Sequence, residues 1–258
     1  MSGLIVAIMK EHLRRNKVVM HLSRLYRDMG GLDGVYIKLD DGEQTWHLAK
    51  RDKETGESEE MVFTATSTLA HMDLLPITRE TMGMKEKLRF LSQSIMITGF
   101  GRQSFDHTIK AIKEIQCTGK REFHQGQLQE WLPSKFQGHD AIEMSNQYFR
   151  AQSKSEQEIG TPIGQDMDPR GVLAQLAGSN LIHMEENNVN YYRGLIEGSK
   201  KRQVGSIHIN GLEANSLDDA RYVRVKPQMF RVGDIVEAQC SVIFMRCKGN
   251  GANMKLIL

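Results

Sequence analysis

Val232-Gly233-Asp234-Ile235-Val236-Glu237-Ala238-Gln239-Cys240-Ser241-Val242-Ile243-Phe244-Met245 joins a turn to a long alternating run. Val232-Gly233-Asp234 has the composition of a turn. From Ile235 onward the residues alternate, placing Val236, Ala238, Cys240, Val242 and Phe244 on one face, which is the period of a half-buried strand. Gly249, Asn250 and Gly251, within Lys248–Ala252, supply a hairpin turn, so Met254–Leu258 is expected to pair back. Upstream, Tyr222–Val225 reads as a short strand stopped by Pro227. A long strand behind such a turn suits a small barrel of the OB or SH3-like kind.

Working towards the N-terminus, Gln152–Gly171 is polar and carries Gly160, Pro162, Gly164, Pro169 and Gly171. It is expected to be a linker or long loop, 152–171, between an N-terminal α+β domain, 1–151, and a C-terminal β-rich domain, 172–258. Mild proteolysis is expected to cut there first. Arg121–Asn146 is aromatic and Gln-rich, with Phe123, Trp131, Phe136 and, just beyond, Tyr148 expected to anchor irregular structure. Met84, Leu88 and Leu91 have helical spacing within Met82–Gln93, and Ile95–Thr98 reads as a buried strand. After Gly99-Phe100-Gly101 a helix is expected, with Ser104 or Asp106 as N-cap, Ile109, Ile112 and Ile115 inward, and Gly119 as its close.

Nearer the start, Val35, Ile37 and Leu39 alternate, Asp41-Gly42 is a hairpin turn, and Trp46 and Leu48 share a face on the return. Past the polar loop Asp52–Glu59, Met61, Phe63 and Ala65 continue what reads as an antiparallel sheet. Val18, Leu22, Leu25, Tyr26 and Met29 fall in one sector of a helix expected from Val18 to Met29, with an earlier turn from Leu4 as an alternative start, and stopped by Gly30-Gly31. Lys10, Arg14, Lys17, His21, Arg24 and Arg27 occupy another sector. That basic face reads as a surface for an anionic partner or as a plain solvated face. The overall fold class expected is α+β.

The chain has 258 residues, 40% hydrophobic and 26% charged, a globular rather than disordered composition. Three cysteines without CxxC spacing argue against a disulfide scaffold and a structural zinc site. The longest apolar run, Leu4–Met9, is too short to span a bilayer and has no cleavage site after it. A reducing setting, nuclear or cytoplasmic, is expected, with no membrane association. Net charge is +2, but residues 1–30 carry +4 and residues 193–258 carry +5, leaving −7 for the acidic middle.

Ile182-His183-Met184-Glu185-Glu186-Asn187-Asn188-Val189-Asn190-Tyr191-Tyr192, then Pro227-Gln228-Met229-Phe230-Arg231-Val232-Gly233-Asp234-Ile235-Val236-Glu237-Ala238-Gln239 and the closing Met254-Lys255-Leu256-Ile257-Leu258, resembles a large group of uncharacterised proteins of mushroom-forming (basidiomycete) fungi. The resemblance covers the C-terminal part of the chain. It implies lineage and assigns no activity, catalytic residue or cofactor. It also implies a sequence that continues past the position of Leu258 in other members.

Three constellations can carry chemistry. In the first, Gly99, Gly101, Arg102 and Ser104 lie between strand and helix, where glycines let amides approach a phosphate. The third glycine of a dinucleotide fingerprint and the Lys-Ser/Thr of a P-loop are missing, so a tight turn explains the residues equally. In the second, His71, Asp73 and His183 have the types of a two-His, one-carboxylate iron site, with Arg193 available to a 2-oxo acid. Chance occurrence in surface loops is the competing explanation. There is no GxSxG, and only Cys247, between Arg246 and Lys248, has basic neighbours. The third constellation is basic and aromatic: Tyr191, Tyr192, Arg193, Lys200, Lys201, Arg202, Arg221, Tyr222, Arg224, Lys226, Arg231, Arg246, Lys248 and Lys255. Cations neutralise phosphates and aromatic faces stack unpaired bases.

These residues lead to the expectation of an intracellular, non-enzymatic binding module without a cofactor, its partner single-stranded nucleic acid or a nuclear protein. The alternatives are a metal- or nucleotide-dependent enzyme, of the Fe(II)/2-oxo acid oxygenase-like or phosphate-loop type, and a protein–protein interaction domain. The oligomeric state is left open.

Overall fold

The computed structural model describes residues 5–10, 17–27, 32–39, 45–75, 90–151, 160–165, 168–176, 181–184, 187, 189–195, 221–247 and 251–258. Its strands are β1 (Ile5–Lys10), β2 (Lys17–His21), β3 (Val35–Leu39), β4 (Thr45–Arg51), β5 (Ser58–Asp73), β6 (Ser92–Thr98), β7 (Ser134–Phe136), β8 (His139–Gln147), β9 (Arg150–Ala151), β10 (Leu181–Ile182), β11 (Val189–Leu195), β12 (Arg221–Arg224), β13 (Ile235–Arg246) and β14 (Ala252–Ile257). The helices are α1 (Leu22–Arg27), α2 (Gln103–Lys120) and α3 (Val172–Leu176), with a 3-10 turn at Pro227–Met229. Mostly antiparallel sheet with a few helices, the architecture belongs to the mixed α+β class.

Twelve strands form one open sheet whose main path is β12-β11-β1-β13-β4-β5-β6-β8-β7; β14, β2 and β3 attach to β13, β5 and β4. β13 is the organising strand. Its first half pairs antiparallel with β5, from Ile235↔Thr68 to Cys240↔Phe63, and parallel with β1, from Ile5↔Ile235 to Ile8↔Ala238. Its second half pairs with β14 and β4. Val236, Ala238, Cys240, Val242 and Phe244 are all buried, as their alternation requires. β11, β12, β13 and β14 therefore share a sheet with β1 to β8, and residues of both sets share a core. In sequence, segment 152–171 falls between β9 and β10, which pair with each other in a separate two-stranded sheet, and its described part contains buried Asp168, whose carboxylate accepts the Val172 and Ala174 amides of α3.

α2 lies against the core through Phe105, Ile109, Ala111, Ile112 and Ile115. Its N-cap is Arg102, with no side-chain cap bond, rather than Ser104 or Asp106; Asp106 sits in the first turn, where a carboxylate suits the helix dipole. Gly119, expected to close the helix, lies one residue before its end at Lys120. It is buried inside it, because a Cβ there would lie 2.3 Å from the Phe244 ring.

The helix expected over Val18–Met29 divides. Val18-Val19-Met20 joins β2, parallel to β5 from Lys17↔Glu60 to His21↔Thr64, and among the described residues of that span Leu22–Arg27 are helical, with Met29 and the Gly30-Gly31 stop outside the described residues. The β-branched pair and the free edge of β5 override helical periodicity there. Within Arg121–Asn146, expected to be irregular, residues 121–133 hold no helix or strand beyond an isolated bridge at Leu128, whereas from Ser134 the sequence makes the β7–β8 hairpin, turning at Gln137 (φ 48°) and Gly138 (φ 83°). Gln93, expected in a helix, belongs to β6, and residues 82–89 of that expectation lie outside the described residues. No helix among the described residues is long and apolar enough to cross a membrane.

Candidate nucleic-acid interface

β11 brings the third constellation to one end of the sheet, and alternation along it sorts the residues between two faces. Val189 and Tyr191 are buried, Tyr192 is half-buried and Arg193 is exposed. Tyr191 is therefore a core residue, correcting its assignment to a stacking surface. Its hydroxyl donates to Gln93 Oε1 at 2.8 Å, Gln93 Nε2 donates to the Asn187 carbonyl at 3.0 Å, and its ring meets Phe230 edge-on at 5.6 Å. Burial holds its phenol well above the ordinary range, so it stays protonated.

On the opposite face, Tyr192 pairs directly across from Arg224 of β12, so the two side chains emerge together. Arg224 and Lys226 are exposed, with half-buried Val225 between them. The Val225 amide donates to the Tyr191 carbonyl at 2.8 Å, continuing the pairing one residue past the strand. Arg224, Val225, Lys226 and Pro227 border a cavity of about 230 Å³ with Leu75, Val189 and Tyr191. Arg231 is exposed in the turn before β13, where its amide donates to Asp234 Oδ2 at 2.8 Å. Arg221 and Tyr222 lie in β12 opposite Leu195 and Gly194. Lys200, Lys201 and Arg202 lie outside the described residues. The sequence pointed to the cations but not to Leu75, Val189, Val225 and Pro227 beside them; the alternation Val189-x-Tyr191 was the available signal for an inward face.

The glycine loop has a packing reason. A Cβ on Gly99 would lie 2.2 Å from Phe105 Cβ, and the Gly99 carbonyl accepts the Arg102 amide at 3.0 Å. Gly101 has φ +77°, which favours glycine, and Arg102 and Ser104 are exposed. Gly99→Ala is therefore expected to cost about 1–3 kcal/mol by overpacking against a backbone-anchored atom, lowering the melting temperature by several degrees. A melting temperature equal to wild type would return Gly99 to the list of ligand-approach glycines.

His71 and Asp73 are exposed on β5, whereas His183 is buried, its Nδ1 2.7 Å from the Tyr148 carbonyl and its ring edge-on to Phe149. Among the described residues no three His, Cys, Asp or Glu side chains are grouped to hold a metal ion. Burial pushes the Cys240 thiol up to about 12, leaving it unreactive at neutral pH. Cys247 is half-buried at the end of β13.

A polar chain crosses the outer face near β2. Ser23 Oγ is 2.9 Å from His21 Nδ1, His21 Nε2 is 3.3 Å from Thr66 Oγ1, and Thr66 donates to Glu237 Oε2 at 3.5 Å. Burial, aided by Arg24 and Arg27 and opposed by Glu237, lowers the His21 pKa below 6.5. In the window below 6.5 the unfolded chain binds the extra proton more readily, so stability present above that value is lost as pH falls through it. Between about pH 7.5 and pH 5.5, wild type is expected to lose more melting temperature than His21→Gln. Equal losses would remove His21 from the acid response.

Comparison of the chain with protein-family models, with curated proteins and with solved structures finds no match.

Proposed function

We propose that the chain is a non-enzymatic binding module for single-stranded nucleic acid, working in the nucleus or cytoplasm, with the β11–β12 end of the sheet as its interface. The observation that carries this reading is the pairing of Tyr192 with Arg224, which sets an aromatic side chain directly across from an exposed cation. Single strands are held by cations along the phosphates and aromatic faces under the bases. Arg193 and Arg231, both exposed, extend the positive surface, and the +5 carried by residues 193–258 gives it the right sign.

The barrel-like part of the expectation belongs to the same proposal. β13, β5, β6 and β8 are successive neighbours, β14 pairs with β13, and the Leu258 amide donates to the Ser145 carbonyl of β8 at 3.4 Å. That single bond supports reading these five strands as curled towards a ring, the form in which small barrels present a binding face.

A labelled oligonucleotide followed by fluorescence anisotropy tests the function. Binding in low salt is expected, weakened by Tyr192→Ala without a change in salt slope. Absence of binding at about 50 µM protein contradicts the proposal, since non-specific nucleic-acid affinities reach about 10⁻⁴–10⁻⁶ M. A protein-binding reading would then lead, favoured by Met229, Val232 and Ile235, which are 56%, 58% and 42% exposed beside Arg231.

A further inference from the structure

We infer that the cavity beside β12 is a seat for one unpaired base, with its flanking phosphates on Arg224 and Lys226; this rests on the nucleic-acid reading and assigns that surface a base-specific element. Leu75, Val189, Val225 and Pro227 give the cavity apolar walls. At about 230 Å³ it falls below the roughly 300–1,000 Å³ of drug-sized sites, a size on the scale of one base.

Arg224, Val225 and Lys226 all border the cavity, with Val225 half-buried against the core and Arg224 and Lys226 on either side exposed. Tyr191, which also borders the cavity, is buried and held by its bond to Gln93 and by the Phe230 ring, so the cavity's inner side is already ordered before a base arrives. A pre-ordered wall spares the side-chain entropy that binding would otherwise cost. Cations at the rim and an apolar interior match a ligand that is anionic outside and planar and uncharged inside, as a base on its backbone is.

The test compares an intact oligonucleotide with one bearing abasic sites, on wild type and on Val225→Trp, which fills the cavity from its rim. Loss of the bases should weaken wild-type binding about fivefold or more. In Val225→Trp the intact strand should fall to the level of the abasic one, while Tyr192→Ala should keep a difference between them. Photocrosslinking of an iodouracil-substituted strand to wild type needs no variant, and adducts are expected within residues 189–191 or 224–227. Binding with equal affinity for both strands, or crosslinks only elsewhere, would overturn the base seat while leaving the nucleic-acid reading intact. No binding of either strand would overturn both.

Discussion

Phe244→Ala is expected to destabilise the protein by about 3–5 kcal/mol, the range for a buried aromatic truncated in a packed core. Phe244 is completely buried on β13, opposite Trp46 of β4 and Met254 of β14. Its ring also lies against α2, close enough that Gly119 has no room for a side chain, and 6.0 Å from the Phe123 ring. One side chain thus joins the organising strand to the main helix. For a chain of this size the loss corresponds to roughly 6–20 °C in melting temperature. An unchanged melting temperature would show that β13 is not the strand around which the core is built.

The second large effect is on binding. Replacing Arg193, Arg224, Lys226 and Arg231 together with Ala is expected to flatten the slope of log K against log salt by up to about three units, at about 0.7 per phosphate contact on a single strand. Affinity at about 50 mM salt should fall by roughly a hundredfold to a thousandfold, because the displaced counterions no longer contribute their entropy. All four side chains are exposed, so stability should change little. Arg51, Lys53, Lys113 and Lys120, also exposed but carried by β4, the turn after it and α2, make the control. If that set lowers affinity and slope as much, the binding is diffuse and has no address on β11–β12.

Local pattern made β13 legible in the sequence, since five alternating apolar residues need no partner to be read as one face. The inner face of α2 was legible for the same reason. β2 was not: Val18, Leu22 and Leu25 satisfy a helical period, and the edge of β5, more than thirty residues away, decides that the first of them is a strand residue. The β7–β8 hairpin was hidden by its turn, where Gln137 takes a positive φ usually left to Asn, Asp or Gly. For the candidate site, composition located the cations, but the side of the sheet each residue faces depends on register. Tyr191 and Tyr192 looked equivalent as adjacent tyrosines, and pairing with β1 and β12 sends one into the core and the other towards Arg224.

The central claim is that this end of the sheet binds single-stranded nucleic acid through phosphate neutralisation. Its most direct test is the wild-type affinity for a labelled single strand, measured by anisotropy between about 20 and 200 mM salt. With four cations in contact, log K should fall against log salt with a slope of about −3. A slope near zero, or no binding at about 50 µM protein at the lowest salt, would contradict it.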